Sequence, residues 1–419
     1  SENSRNSGRS TPQGLLSVIG VLRLTLFRPP PYLAAVQEPV TSTSDARDIL
    51  VLRAFYFSVF AALGVLLPYF NLFLARRGFS AAEIGLLAAI IPVCKTIIPP
   101  FWARAADRRA NRKGLALVAA AGALAAGAML ALPSGFAAMA AVLLVFAAFW
   151  TAHHPLVEVT VLESLDRSGS DYGRVRLWGS IGFIVLVVAT GIAIDLRSTD
   201  AVVPILTAIL LSNLLLTFVT PRGDAPPQDG GDGLRGLLAD PAYRRIVIAG
   251  LLMQLSHGTY YGFFTIYLDG VGFSKSVVGL LWGTGVAAEI LVMFASGWMI
   301  DRLGVRAVLG ASLALAAARW ALTASTLSLP LLFLAQTLHA FSFGAFHVAS
   351  ILHVYRIVPE RLRTMGQVVY GSLSFGIGIG VGQVVNGFFY ESAGAPMLFA
   401  LSAAAALIGL AVWVRFPRS

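Results

Sequence analysis

The chain has 419 residues, 57% of them hydrophobic and 12% charged, with a mean hydropathy of +0.77 and a formal net charge of +10. Ordinary soluble domains carry about twice that charge fraction, so the composition excludes a soluble enzyme and describes an integral membrane protein. The positive charge does not indicate nucleic acid, because the basic residues stand in loops beside apolar runs, as membrane topology requires.

Residues 1–48 are polar and include the run Pro29-Pro30-Pro31. Their apolar patch, 14–27, is too short to span a bilayer and is interrupted by Arg23. A disordered or weakly interfacial tail is expected there. About twelve apolar runs follow, each near the ~20 residues a bilayer requires. They lie at roughly 49–74, 81–102, 114–132, 136–162, 174–195 and 201–219, then 245–268, 275–299, 306–326, 330–355, 364–389 and 395–414. Helices are expected, because lipid cannot satisfy free backbone groups. Residues 221–243 hold a Pro-, Gly- and Asp-rich stretch that reads as a cytoplasmic linker. The expectation is therefore an all-α membrane protein with two six-helix bundles, 49–220 and 244–419.

Loop charge sets the orientation. One side collects Arg104, Arg108, Arg109, Arg112, Lys113, Arg167, Arg174, Arg302, Arg306 and Arg356 among others, whereas the other receives Arg76, Arg77, Arg197 and Lys275. The rich side is expected to be cytoplasmic, with both termini inside. A short basic turn recurs after the second run of each half: Asp107, Arg108 and Arg112 in the first, and Gly297, Asp301, Arg302, Gly304 and Arg306 in the second, with the two aspartates 194 positions apart. Such duplication is common in transporters. Asp-Arg beside glycine suits a gate, since the aspartate can accept from a helix N-terminus; the plain alternative is a positive-inside loop.

The second copy of this turn resembles the loop motif of the major facilitator superfamily, and the first departs from it with Ala103 and Ala110 at glycine positions. The resemblance spans about residues 49–415 and implies two six-helix bundles around a central cavity that works by alternating access, with no cofactor.

Every histidine falls in an expected span, and Lys95, Glu158, Arg176, Glu289 and Arg319 lie in or at the edge of spans. One ionised group at the bilayer centre costs roughly 2.5–3.5 kcal/mol, so these groups must pair, neutralise or face a watery cavity. Glu289, Arg319 and His339 lie near mid-depth on three successive helices, where the arginine can pair with Glu289 and the histidine can relay a proton. His347, eight residues after His339, extends a polar stripe. The alternative is a static salt bridge that locks helix packing. His153 is read as helix packing and His353 as a boundary residue. The six histidines and the lone Cys94 show no metal-ligand spacing, so no metal site is expected.

Glu158, at the inner end of the fourth span, and Arg176, at the start of the fifth, can approach across an antiparallel turn, with Trp178 as an aromatic face. This pair is either a substrate contact or a structural closure. The aromatic stretch of Tyr260 and Tyr261 is read as packing or lipid-facing or, being near His257, as suited to an aromatic ligand; His154 is a further substrate-binding candidate, and Lys95 suits an anionic substrate. Snorkelling is the alternative for Lys95. The decapeptide 171–180, with Gln336 to His339, Arg319-Trp320 and Ser256 to Phe263, is similar to the phenylpropionate permease family, near the oligosaccharide and nucleoside proton symporters. The lactose permease branch of that group implies substrate roles for Glu158 and Arg176, and matches Arg319 and His339. It carries a carboxylate one turn past the histidine where this chain has Ser342, so coupling passes to Glu289, with His257 or His347 behind it. The expected activity is proton-coupled uptake of a small organic solute, such as an aromatic carboxylate, by a monomer in the cytoplasmic membrane. Proton-driven efflux of amphipathic compounds, nucleoside or sugar symport, and a non-transporting sensor are the alternatives.

Overall fold

The structure, a computed structural model, describes residues 43–109, 111–168, 171–221 and 234–415. Most of the expected tail and linker lies outside these residues. Among the described residues every regular element is helical. The first bundle comprises α1 (Ala46–Arg76), α2 (Ala81–Ala106), α3 (Arg112–Met129), α4 (Phe136–Leu165), α5 (Tyr172–Leu196) and α6 (Thr199–Val219). A short helix, Leu234–Ala239, precedes the second. There α7 runs through Pro241–Ser256 and Gly258–Gly270, followed by α8 (Lys275–Leu303), α9 (Val305–Ser325) and α10 (Leu329–Ile357). The final run, Glu360–Val414, is 55 residues long and makes two crossings, α11 (363–393) and α12 (395–414). Gly394 replaces a loop between them: its φ of 73° turns the chain, and Pro396 starts the return.

The interruption of α7 has a local cause. The His257 amide reaches back to the Gln254 carbonyl at 3.1 Å. The Met253 carbonyl, which would have received it, accepts instead from Ser256 Oγ at 2.6 Å and from the His257 ring Nδ1 at 2.8 Å. Polar side chains thus repay the broken helical bond, as the bilayer demands.

In the first bundle α1 packs on α5 and α6, and α4 on α2 and α3; in the second α7 packs on α11 and α12, and α9 on α12. The bundles meet along three helix pairs, α2 with α11, α5 with α8, and α1 with α7. The first two crossings are built on glycine. A Cβ on Gly85 would lie 2.6 Å from the Gln383 carbonyl oxygen, and one on Gly279 would lie 2.7 Å from the Val187 carbonyl oxygen. Backbones can approach this closely only where a side chain is missing. A polar latch lies over the glycines. Asp195 accepts from the Lys275 and Ser276 amides at 2.9 and 2.8 Å, placing a carboxylate on the N-terminus of α8. Asp269 holds Arg76 at 2.6 Å and the Lys275 ammonium at 2.9 Å. Asn71 donates to the Tyr261 and Gly262 carbonyls. At the opposite end, where α1 begins and α12 finishes, no extended packing joins α4 and α5 to α10 and α11 among the described residues. The molecule is therefore closed at one end and open at the other.

The two bundles share an internal period. Gly78-Phe79-Ser80 and Gly272-Phe273-Ser274 are 194 positions apart, as are Gly85 and Gly279. Both turn glycines have positive φ, 85° and 93°, and both serines cap the following helix, Ser80 through the Glu83 amide and Ser274 through the Val277 amide.

Since neither Gly85 nor Gly279 has room for a Cβ, Gly85→Val and Gly279→Val are expected to hold the bundles apart at the closed end. In a Cys94→Ser background carrying Ile184→Cys below that closure, labelling by an impermeant maleimide added from the closed side should accelerate in either variant. An unchanged rate would show that the helices absorb the side chain without opening.

Candidate functional site

Arg319 is fully buried on α9. Its guanidinium lies 4.4 Å from the ring centre of Tyr260 and 4.1 Å from that of Trp320. Its in-plane donors reach Gln336 Oε1 at 3.1 Å, Ser342 Oγ at 3.2 Å and His339 Nδ1 at 2.9 Å. Among the described residues no carboxylate lies within ion-pair distance of Arg319. The expected contact with Glu289 is not made: neutral acceptors and ring faces hold the charge instead.

This arrangement sets the histidine tautomers. A guanidinium can only donate, so His339 Nδ1 accepts and a neutral ring carries its proton on Nε2, which faces Glu289 Oε2 at 3.9 Å. His257 donates Nδ1–H to Met253, leaving Nε2 as an acceptor. The Ser342 hydroxyl accepts from Arg319 and shares its proton between His257 Nε2 and the His339 carbonyl, both at 3.4 Å. Arg319, His339 and Glu289 thus form a chain, in which the histidine and not the arginine touches the carboxylate. Gly344 leaves the space that Glu289 occupies, since a Cβ there would sit 2.9 Å from Glu289 Cγ. The chain lies at a widened helical turn of α10, Ala340–Ala345, of π geometry. The polar stripe along α10 is an aromatic ladder: Phe343 stacks between His339 and His347, with centroid separations of 5.3 and 6.2 Å.

In the first bundle the expected approach of Arg176 to Glu158 is also absent. Glu158 accepts from Tyr56 at 2.5 Å and from Tyr172 at 2.7 Å. His154 Nε2 lies 3.1 Å away, off the line of a hydrogen bond. Arg176 instead stacks on Phe60, 3.8 Å from its ring centre. The tyrosines are stronger competitors for Glu158 because they sit on α1 and at the head of α5, directly across from it. Tyr56 and Tyr172 were visible in the sequence as aromatic residues, but nothing in their spacing marked them as carboxylate partners.

Lys95 is exposed on α2. It is within electrostatic range of Arg176, and both act on His347 from across the bundles. Arg176 acts likewise on Glu289. Lys95 and Arg176 are thus within electrostatic range of His347, and Arg176 of Glu289, with Phe60 against Arg176 and Phe343 and Phe375 against His347. Neither Lys95 nor Arg176 makes an ion pair among the described residues. Other candidates stand elsewhere. Tyr260 is buried beneath Arg319 and against Trp282, at 4.2 Å between centroids. Tyr261 and His257 are buried in α7. Trp178 is 40% exposed on the far side of α5, in a groove shared with α1 and α6. His153 bonds Thr217 at 2.8 Å, joining α4 to α6, and His353 packs edge-on against Trp413.

The twin turns stand at the open end. Asp301, Arg302, Gly304 and Arg306 are exposed, and nothing lies within 4 Å of a Cβ built on Gly297. Asp301 makes no hydrogen bond or ion pair among the described residues, and Arg302 lies 6.0 Å from the Trp298 ring centre. In the first copy Arg108 is exposed and Arg112 begins α3. The side chain of Asp107 and all of Ala110 lie outside the described residues.

Residues 49–401 match the model of the MFS_1 like family. Among curated proteins the chain is 29% identical to a protein of Escherichia coli (strain K12) named "Probable 3-phenylpropionic acid transporter", over 81% of this chain and 90% of that one. It is 28% identical to "Maltose permease" of Geobacillus stearothermophilus, over 83% and 90%. Among solved structures, that of the nucleoside transporter NupG superposes with a TM-score of 0.79 at 18% identity, covering 88% of this chain and 99% of that one. These similarities establish the all-helical transporter fold and a multi-pass membrane transporter, not an enzyme.

Tyr56→Phe removes one of two phenol donors from Glu158 and is expected to cost about 1.5–3 kcal/mol, the worth of a hydrogen bond to a charged group. Melting in detergent checks it, with Glu158→Gln and the double variant completing a cycle. Additive effects of the two substitutions would show that the contact carries no energy of its own.

Proposed function

The chain belongs to the MFS_1 like family, and from that premise we propose that it takes up a small aromatic carboxylate together with a proton by alternating access. The observation that carries this reading is the pair of cations, Lys95 and Arg176, beside an open cavity with no fixed counterion, opposite Glu289. A substrate carboxylate would complete that charge set, with its ring lying against Phe60, Phe343 or Phe375. The name of the Escherichia coli relative, a 3-phenylpropionic acid transporter, points the same way.

Charge balance supports coupling. When empty, the cavity holds two cations and the Glu289 carboxylate. A bound monoanion together with a proton on Glu289 leaves the same net charge. Either state can then close at similar electrostatic cost, whereas a bound anion without its proton cannot. His339 presents Nε2–H towards Glu289, and Arg319 holds the ring in that orientation. Arg319 therefore tunes the proton site without being its counterion. The open end is read as cytoplasmic, from the basic loops, with both termini inside the bacterial inner membrane; the exposed Asp301 to Arg306 turn is read as one part of the gate there.

A second reading, sugar or nucleoside symport, is favoured by the hydroxyl-rich grip on Glu158 and by the maltose permease relative. External pH in a lightly buffered suspension of de-energised expressing cells separates the two. Phenylpropionate is expected to alkalinise the medium, while sugars and nucleosides leave it unchanged; alkalinisation by a sugar alone would replace the first reading with the second. In the Glu289→Gln variant, proton-linked accumulation of phenylpropionate is expected to vanish while exchange persists, and full accumulation would remove Glu289 from the mechanism. Arg176→Gln is expected to weaken phenylpropionate binding by about tenfold or more, the worth of a charge-assisted contact. Equal affinity in purified protein would make the Phe60 stack structural.

A further inference from the structure

A groove of about 360 Å³ runs between α1, α5 and α6, away from the charged cavity. Its wall is apolar over most of its length, with Phe57, Ala61, Trp178, Leu186, Ile209 and Leu216 among its residues. Arg53 stands at its mouth. It makes no hydrogen bond or ion pair among the described residues, and its Nε atom is buried without a partner. A half-buried guanidinium at a bilayer surface can pair with an anionic headgroup.

The groove and the cation lie at matching depths. Arg53 follows the polar start of α1 by about two turns, Trp178 is in the second turn of α5, and Leu216 is in the last turn of α6. All three belong to the same membrane boundary, where tryptophan is favoured. From Trp178 to Leu186 the groove extends about 12 Å along α5, close to the ~15 Å half-thickness of a hydrocarbon core. Exposed Leu50, Leu211 and Leu215 flank it, so it opens sideways to lipid.

The geometry points to a bound anionic phospholipid drawn from the leaflet where α1 begins. Its phosphate pairs with Arg53 and one acyl chain fills the groove between α1, α5 and α6. An anionic headgroup fits better than a zwitterionic one, because among the described residues no carboxylate lies within ion-pair distance of Arg53 to receive a headgroup amine. The lipid would bridge the helices of the first bundle on the face opposite Arg176, without entering the substrate cavity.

Native mass spectrometry of the full chain in detergent tests this with two probes, phosphatidylglycerol and phosphatidylethanolamine. Phosphatidylglycerol should be retained in preference by about fivefold, the worth of one basic residue at an anionic surface. Arg53→Gln should abolish the preference and Arg53→Lys should keep most of it. Ala54→Phe, which fills the groove and leaves Arg53 in place, should lose the tightly retained lipid. If Arg53→Gln does not yield folded protein, the Arg53→Lys and Ala54→Phe pair carries the test. Equal retention of both lipids by the wild type, an Ala54→Phe variant that binds as the wild type does, or release of the lipid by phenylpropionate would each overturn the assignment. The last would make the groove a cargo site.

Discussion

A guanidinium buried in the centre of a bilayer protein needs its charge compensated, and the second bundle is arranged around that requirement at Arg319, whose Nε alone finds no hydrogen-bond partner among the described residues. Tyr260 and Trp320 cover its charge with ring faces, while Gln336, His339 and Ser342 take its in-plane donors. Those demands reach outward. Ser342 passes its proton towards His257, and His257 turns its other nitrogen to the carbonyl freed by the break in α7. His339 is left with one proton, directed at Glu289. One cation is thereby linked through Ser342 and His339 to two histidine tautomers and to the carboxylate of Glu289. Ser342 would be out of place here as a carboxylate, since it would pair with Arg319 directly and release His339 from its hold.

The first bundle answers a similar problem differently. Its half-buried carboxylate, Glu158, is held by two phenols, and its cation, Arg176, by a phenyl face. Opposite charges that could have cancelled are kept apart, each with a neutral partner. A group held by neutral partners can still accept an opposite charge from elsewhere, whereas a closed ion pair cannot. The two bundles thus differ: in the first Arg176 has no ion-pair partner among the described residues, and in the second the His339 ring is held with its Nε2 facing Glu289.

Hydropathy and loop charge made the helices legible, because twenty apolar residues in a row have few alternatives. The expected span limits agree with the structure to within a few residues through α6. The broken α7 and the nearly loopless return at Gly394 were less legible, since one depends on side chains capturing a carbonyl and the other on a single backbone torsion. The duplication was legible twice over. Beside the basic turns, the Gly-Phe-Ser turns recur at the same offset of 194, and only their position at the closed end gives them meaning. The site was legible as a set of residues and not as a set of contacts. Lys95, Arg176, Glu289, Arg319, His339 and His347 were all identifiable as charges or imidazoles in apolar runs. Their partners were not, because Tyr56, Tyr172, Gln336 and Ser342 are ordinary residues in a span until a neighbouring helix presents a charge. Pairing opposite charges across a turn for Glu158, and by matching depth for Glu289, missed the observed partners for that reason.

The widened turn of α10 has a consequence for the geometry of the whole helix. A π turn accommodates one residue more than an α turn, so everything beyond Ala345 keeps its angular phase only while Ala340–Ala345 stays wide. Returning those residues to α geometry would screw Phe346–Ile357 round by about 100° relative to His339. His347 would leave the cavity wall, and the aromatic ladder through Phe343 would be sheared. Two further π turns occur among the described residues, Leu66–Phe70 in α1 and Ser372–Gly378 in α11, and both of these helices lie at bundle crossings. Each of the three is a point where a helix can exchange axial length for rotation without breaking, so rotation of a half-helix about its own axis is available to this molecule alongside any rocking of one bundle against the other.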